Sequence, residues 1–447
     1  MRLMNTLQIV ILAAGHGTRM QSDLPKILHP LGGRPALDYV LDLAQRMTST
    51  QSILVVSPAL QGLTTPFSHT TVVQHPARGT GDAVRCALPH LKAQGHVLVL
   101  YGDTPLIRQE TLERMVALSR ATPELAVIVL GMRPEKRDGY ARLSLNRQGE
   151  LEEIIEYKDA TPAQRELPLC NSGVMLIRAD LLKGFLENLT PNNASQEYYL
   201  TDLVKMARTQ GYSCGVVEGE ASEFMGINTR QDLAQAEAIL QDRWREQAMT
   251  QGVTLVDPQT VYLSYDTALA SDVTIHPFVT FGPGVVLEKG AEVLSFCHLR
   301  QTHVGAGAVV GPFAHLRDGV VLEERAEIGN FVEIKKSTFG GGAKAKHLSY
   351  IGDAAVGAGA NVGAGTITCN YDGVRKSKTH IGEGAFVGSN CSLVAPVSIG
   401  DRAIVGAGSV ITQDVASDAL AVARAKQTAL EKGAERFRKK QLQRKDT

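Results

Sequence analysis

The sequence predicts an α/β domain, a helical linker and a parallel β coil, in that order along the chain. Three observations predict it. Apolar runs alternate with amphipathic stretches as far as Asn228, a helix-forming segment without Gly or Pro runs from Thr229 to Gln251, and a six-residue repeat begins after Gly252. The expected boundaries are therefore 1–228, 229–251 and 252–447, and at 447 residues the chain is too long for one ordinary core.

In the first segment Ile9–Leu12, Ile53–Val56, His96–Tyr101, Ala126–Leu130 and Val174–Ile177 read as strands, and Ala36–Met47 and Gln109–Ser119 carry helical spacing. Strands alternating with helices imply a mainly parallel sheet, because parallel strands need long crossovers, and ligands of such a sheet bind at the strands' carboxyl ends. The run Leu7–Ala14 behind Arg2 imitates a short signal-peptide core. Gln8 interrupts it, however, and it leads into Gly15-His16-Gly17-Thr18-Arg19, so a strand feeding a loop is expected. No other run approaches the ~18 to 20 apolar residues of a membrane helix, and a soluble, cytoplasmic protein without integral membrane association follows as the expectation.

The linker's apolar positions, Leu233, Ala236, Ile239 and Leu240, suit a helix packed as a rigid spacer. Beyond it, Val356–Asn361, Val387–Asn390, Ile399–Ile404 and Val405–Val410 show the repeat: an aliphatic residue, often Gly next, then a small residue. Three such faces make a triangular coil with its aliphatic residues inside, since no single repeat could bury them alone. The basic tail, from Lys432 through Arg436, Arg438, Lys439, Lys440, Arg444 and Lys445, reads as a solvated, partly disordered end.

The 46 Lys and Arg balance 46 Asp and Glu, so bulk charge gives no case for a nucleic-acid or membrane-surface partner, and small anionic substrates fit better. Six scattered cysteines without a C-x-x-C pair suggest free thiols, neither a disulfide framework nor a zinc site.

Candidate chemistry begins at the loop after the first strand. Glycines there let backbone amides approach phosphate oxygens, and Arg19 and Lys26 supply positive charge to steady a triphosphate and its leaving pyrophosphate. Tyr101-Gly102-Asp103 ends another strand, where the Asp103 carboxylate can hold Mg²⁺ against phosphates or cap the next helix. In the coil, Lys335-Lys336, His347–Tyr350 and Asn370–Gly373 interrupt the repeat with polar clusters. Transfer of an acyl group to an amine needs a base, an oxyanion partner and, for a phosphorylated acceptor, cations. His347 can be the base, Asn370 can orient it or the amine, and Arg317, Lys335 and Lys376 are candidates for the phosphate, with Tyr350 and Asn361 on the sugar.

Gly15–Met20 with Pro25-Lys26 resembles the sugar-nucleotidyltransferase signature. Joined to Gly311–Ala314, Gly329–Glu333, Lys344–Leu348 and Gly363–Gly373, it resembles the bifunctional N-acetylglucosamine-1-phosphate uridylyltransferase and glucosamine-1-phosphate N-acetyltransferase family, over nearly the whole chain to Arg424. The resemblance implies a Rossmann-like nucleotidyltransferase domain and a left-handed parallel β-helix, an exception to the right-handed crossover rule. It implies a homotrimer, and UTP and acetyl-CoA as substrates in making UDP-N-acetylglucosamine for cell-wall and lipopolysaccharide precursors. Asn228 then joins Asp103 as a metal ligand. Leu12, Ala13, Ala14, Gly15, Gln74, Gly79, Thr80, Tyr101 and Gly102 fall in the nucleotide site, and Gly139, Ala141, Glu156 and Asn171 in the amino-sugar site. Ala364, Ser389, Ala407 and Arg424, with Asn370 and Tyr371, line the acetyl-CoA site between neighbouring subunits.

The chain departs from the family pattern at Ala77, where a Gln is frequent near the uracil, at Ala141, which replaces a Gly, and at His315, which replaces an Arg. These departures bear on specificity more than on reaction type. A nucleotidyltransferase with a merely structural coil is the alternative, and the polar set His347, Asn370, Tyr371 and Lys376 argues against it. A non-catalytic sugar-nucleotide sensor is a further alternative, against which Asp103 and Asn228 stand.

Overall fold

The computed structural model describes residues 6–15, 17–47 and 49–443. Arg2, His16, Arg444 and Lys445 lie outside them. The chain divides into two compact units, Met1–Gln241 and Asp242–Thr447.

The first unit is a sheet whose strands are, in chain order, β1 (Leu7–Ala13), β2 (Ser49–Val56), β3 (Thr70–Val73), β4 (His96–Tyr101), β5 (Leu125–Met132), β6 (Arg142–Leu145), β7 (Leu151–Ile155), β8 (Cys170–Arg178) and β9 (Ser213–Glu218). Their spatial order is β9-β5-β8-β4-β1-β2-β3, with the β6–β7 hairpin attached to β8. Strands β1 and β5 are buried along their whole length, which is why they read as near-continuous apolar runs instead of alternating ones, with the buried Gln8 of β1 bonded to the Lys92 backbone. Successive residues serve opposite faces: Val10 and Leu12 belong to one apolar cluster, Ile9 and Ile11 to the other. Helices α1 (Ala36–Arg46), α2 (Thr80–Ala87) and α3 (Gln109–Ala121) belong to the crossovers between parallel strands.

The sheet is mixed in one place. Strand β8 runs antiparallel to both neighbours, β4 and β5. Its first residues, Cys170 and Asn171, therefore lie opposite Met132 and Gly131, at the edge where the parallel strands end.

A helix, Arg230–Thr250, follows without a break. It opens with a reciprocal cap: the Thr229 hydroxyl accepts from the Asp232 amide (3.1 Å) and the Asp232 carboxylate accepts from the Thr229 amide (2.8 Å). Ala236 and Leu240 are its buried apolar positions within the first unit.

The second unit is a coil of short parallel strands in three sheets. One inward column runs Ile275, Val293, Val310, Ile328, Ala345, Val362, Val387, Val405, another Leu287, Val304, Leu322, Phe339, Val356, Ile381, and the third Phe281, Leu299, Leu316, Ile334, Ile351. All belong to one contiguous apolar cluster, as the repeat demands. One turn is longer than the others because Asn370–Lys378 loop out between the strands Ile367–Cys369 and Thr379–Ile381.

Side chains excluded from the columns meet water at the corners. Phe278, Phe296, Phe313 and Phe331 sit there at positive φ and stack face to face, with ring centroids 5.1, 4.7 and 5.1 Å apart. Left-handed backbone costs about 1–2 kcal/mol for a residue with a Cβ, and each stacked pair offsets about 0.5–1.5 kcal/mol. The four rings remain about half exposed.

The tail adds an element that its charge run does not predict. Gly433–Gln443 forms a helix in which no residue is buried. Helix-forming residues and a Lys439–Glu435 pair (2.9 Å) one turn apart account for it.

Phe339 is among the largest fully buried side chains and fills the coil's interior. Phe339→Ala should cost about 3–5 kcal/mol, read as a fall in the urea midpoint of the coil's unfolding.

Candidate functional sites

Loops at the strands' carboxyl ends enclose a cleft of about 240 Å³. Of the residues singled out in the sequence, Leu12, Ala13, Ala14, Gly15, Lys26, Gln74, Gly79, Thr80, Tyr101 and Asp103 line it, with Ala77. The Lys26 ammonium meets the Asp103 carboxylate and donates to Asn228 Oδ1 at 3.0 Å. These residues are distant in sequence, and the backbone ties two of them: the Ile227 amide donates to the Asp103 carbonyl (2.8 Å). Gly17, at φ +62°, permits the approach of Lys26, since a Cβ there would lie 2.9 Å from Lys26 Cβ.

Two oxygens converging on one cationic centre are the donor chemistry of a hard divalent ion, which Mg²⁺ commonly completes with water and phosphate oxygens. The residues therefore fit such an ion. Among the described residues no cluster of three or more His, Cys, Asp or Glu could hold a metal by itself.

Gly79 caps α2 at φ +108°, and a Cβ on it would lie 2.7 Å from the Tyr198 carbonyl. That segment closes the cleft's side, with Gly81 N donating to Tyr198 O (2.8 Å) and Leu200 N to Thr80 Oγ1 (3.1 Å). Gln74 is buried, and its amide nitrogen is engaged by Gly79 O (3.1 Å) and Asp82 (2.9 Å). Its amide oxygen is then the atom left for a ligand.

Glu156 accepts from the Thr201 hydroxyl (2.8 Å), and burial, with Asp202, Asp159 and Glu197 nearby, raises its carboxyl above the ordinary range. Burial likewise raises the Tyr101 phenol, and Glu156 and Asp103 add to it. Asn171 is buried beside Ala141, whose carbonyl accepts its amide (2.8 Å), while its side chain caps Gly173 N (2.9 Å). Gly102 donates to Leu12 O (2.9 Å) and locks the ends of β4 and β1 together. Arg19, on the short 3-10 helix Thr18–Met20, and Gly139, on a turn, are exposed outside the cleft's lining. Sequence reasoning missed Glu197, Thr201 and Asp82. The glycine pair at 79 and 81 signalled a close approach, but nothing local said by which segment.

The coil gathers its candidates in two places. On the third sheet, Arg317 and Lys335 are register partners, and Arg317 is held by Glu333 (2.7 Å) and Asp318 (2.9 Å). Lys335 faces Lys376, and that neighbour holds the Lys376 ammonium below its ordinary range. Gly352, the next partner of Lys335, leaves room for two polar groups: a Cβ on it would meet Tyr350 Oη at 2.5 Å and Asn370 Nδ2 at 2.8 Å. Asn370 is buried and donates to Asp353 (2.5 Å).

The other group lies on the first sheet. Register pairs Ala345↔Val362, Val362↔Val387 and Val387↔Val405 place His347, Ala364, Ser389 and Ala407, each two residues further on, in one column at the coil's corner. Arg424 ends it, donating to Ala407 O (2.5 Å). His347 is exposed and its Nδ1 lies 2.8 Å from Asn330 Oδ1, which belongs to the preceding turn. Asn361 is on this sheet too, so one chain does not bring it to the face carrying Tyr350 and Lys335. Tyr371 is exposed on the inserted loop.

Comparison with known families follows this division. The MobA-like NTP transferase domain family matches residues 9–166, and the bacterial transferase hexapeptide (six repeats) family matches residues 301–336 and 378–413. The chain is thus a nucleotidyltransferase joined to a hexapeptide-repeat, left-handed β-helix transferase. It is 53% identical over 443 residues to bifunctional protein GlmU of Paramagnetospirillum magneticum, covering 98% of each chain. It is 51% identical to that of Rhodospirillum rubrum, with 93% of each covered, and 47% to that of a Bradyrhizobium species, with 97% of each covered. The chain belongs to the bifunctional GlmU family. It is an enzyme with uridylyltransferase and acetyltransferase activities in UDP-N-acetylglucosamine synthesis.

Because the folded Glu156 carboxyl is raised, ionising it costs stability as pH climbs from below its unfolded value through its folded one. Glu156→Gln should therefore raise Tm at neutral pH, with the gain vanishing in acid, as calorimetry across pH would show.

Proposed function

We propose that the first unit's cleft carries out uridylyl transfer from UTP to N-acetylglucosamine 1-phosphate, and that the coil's corner carries out acetyl transfer from acetyl-CoA to glucosamine 1-phosphate. The observation that carries the first assignment is the convergence of Lys26, Asp103 and Asn228 at the mouth of the strands. Asp103 and Asn228 are assigned to hold Mg²⁺, which when bound neutralises phosphate charge. Lys26 and Arg19 pair with phosphate oxygens. The sugar phosphate's oxygen attacks the α-phosphorus in line, its new P–O bond replacing the bond to pyrophosphate, which leaves with the electron pair. This nucleophile is already ionised at neutral pH, so no general base is needed. The Gln74 oxygen is suited to accept the uracil imide N–H, and Glu156 and Asn171, with the loop at Gly139, are assigned to the amino sugar.

In the coil, the amine nitrogen attacks the thioester carbonyl, the C–N bond forms, and the C–S bond breaks to release the thiol. His347 takes the amine's proton. The Lys335–Lys376 pair, two ammoniums already crowded together, suits a phosphate that relieves their repulsion. Arg317 joins this subsite, and Tyr350 and Asn361 are assigned to the sugar. The small side chains Ala364, Ser389 and Ala407 leave a shallow track for acetyl-CoA that ends at Arg424.

The split of acetyl-transfer candidates between two faces of one coil supports a site completed by a neighbouring copy. The exposed phenylalanine ladder beside it supports the same assembly, a homotrimer. No helix among the described residues is long and apolar enough to cross a membrane, which fits a cytoplasmic enzyme supplying precursors of cell wall and lipopolysaccharide.

The two activities should separate. Asp103→Ala should reduce pyrophosphate release at least about 100-fold and leave thiol release intact, and His347→Ala should do the reverse. Assays of both products on each purified variant decide it, and loss of both activities in a folded variant overturns the two-site assignment.

A further inference from the structure

We infer that Asn330 is a positioning residue of acetyl transfer: it fixes His347 in the tautomer that leaves Nε2 free to take the amine's proton. The inference rests on the reading of His347 as the base.

Asn330 and His347 are register partners on adjacent turns, so the coil's backbone, more than side-chain reach, sets their spacing. The 2.8 Å contact joins Nδ1 to the amide oxygen. An oxygen can only accept, so Nδ1 carries the proton and Nε2 holds the lone pair. Turned the other way, the amide would donate to Nδ1 and put the imidazole's proton on Nε2, which could then accept nothing. Both residues line a groove of about 390 Å³ walled by Pro312, Phe313 and Phe331.

The carboxylate that lines this groove is already engaged. Glu327 and Lys346 line it and form an ion pair, and Lys344 binds the same carboxylate (2.8 Å). The group that holds Nδ1 is thus neutral. A carboxylate at position 330 would hold the imidazolium once formed and keep the imidazole protonated to higher pH. An amide orients the ring without that penalty, so the proton taken from the amine can be returned to solvent.

The test uses the full-length enzyme, with thiol release as the readout for acetyl transfer and pyrophosphate release as the control. Asn330→Leu should lower kcat for acetyl transfer about 10- to 100-fold, less than the loss of a base altogether, with KM for both substrates and uridylyl transfer unchanged. Asn330→Asp should keep the ring's orientation but move the acid limb of the acetyl-transfer pH profile to higher pH, so that it is slow in acid and recovers in alkali. An Asn330→Asp profile superimposed on that of the unaltered enzyme, while His347→Ala is inactive, overturns the role of Asn330 alone. Undiminished acetyl transfer by His347→Ala overturns the base assignment beneath it. Should the leucine variant fail to assemble, the aspartate variant decides the question by itself.

Discussion

Parallel strands cannot be joined by a tight turn, and both units are organised by that constraint. The first unit uses helical crossovers, which return the chain to the same starting edge and leave the carboxyl ends of β1, β2, β3 and β4 with their loops on the opposite edge. The second makes each crossover from two further strands, so three sheets close on one another and the chain has no free loop edge. A site can then form only at a corner, on an outer face or on an insertion. The phosphate loop and the His347 column are the two consequences.

In the first unit this edge concentrates charge. Lys26, Asp103 and Asn228 arrive from three parts of the chain and are held by backbone contacts that precede any ligand: Gly17 under Lys26, and Ile227 bonded to Asp103. The antiparallel β8 adds Asn171, because reversing a strand brings its first residues to the edge where its neighbours end. Ordered groups aimed at where phosphate charge will develop cost little reorganisation during reaction, the condition under which electrostatic stabilisation is most effective.

Much of this was legible in the sequence. Buried strands betray themselves as apolar runs and the coil as aliphatic residues at fixed phase, so the elements and their order could be read directly. Strand direction could not: Val174–Ile177 has the same apolar pattern whichever way it runs, and only its partners, Val129–Val127 on one side and Val99–Val97 on the other, fix β8 as antiparallel. The phosphate loop and Asp103 were legible because their chemistry is local. The clamp on Gly79 was not, because it comes from Tyr198, far along the chain. The tail's helix was missed because its charged residues, read as a solvated run, are equally good helix formers.

The coil shows why register matters more than proximity in sequence. Asn330 and His347 are 17 residues apart, one turn of the coil, and neither stands out among surface polar residues until that turn is closed. Inward positions are taken by the apolar columns and by a few hydroxyls bonded to backbone carbonyls, such as Thr366 and Thr368, so charged groups are left to the outer surface, where neighbours along a sheet are dictated by the rung spacing. Polar chemistry on such a surface is therefore built in ladders. Asn330 below His347 and the small residues Ala364, Ser389 and Ala407 above it are one ladder, and Arg317, Lys335 and Gly352 are another. Glycine at the last of these positions opens the space that Tyr350 and Asn370 share. A coil of identical repeats would have neither the room nor the polarity, so the interruptions in the repeat mark where its chemistry is placed.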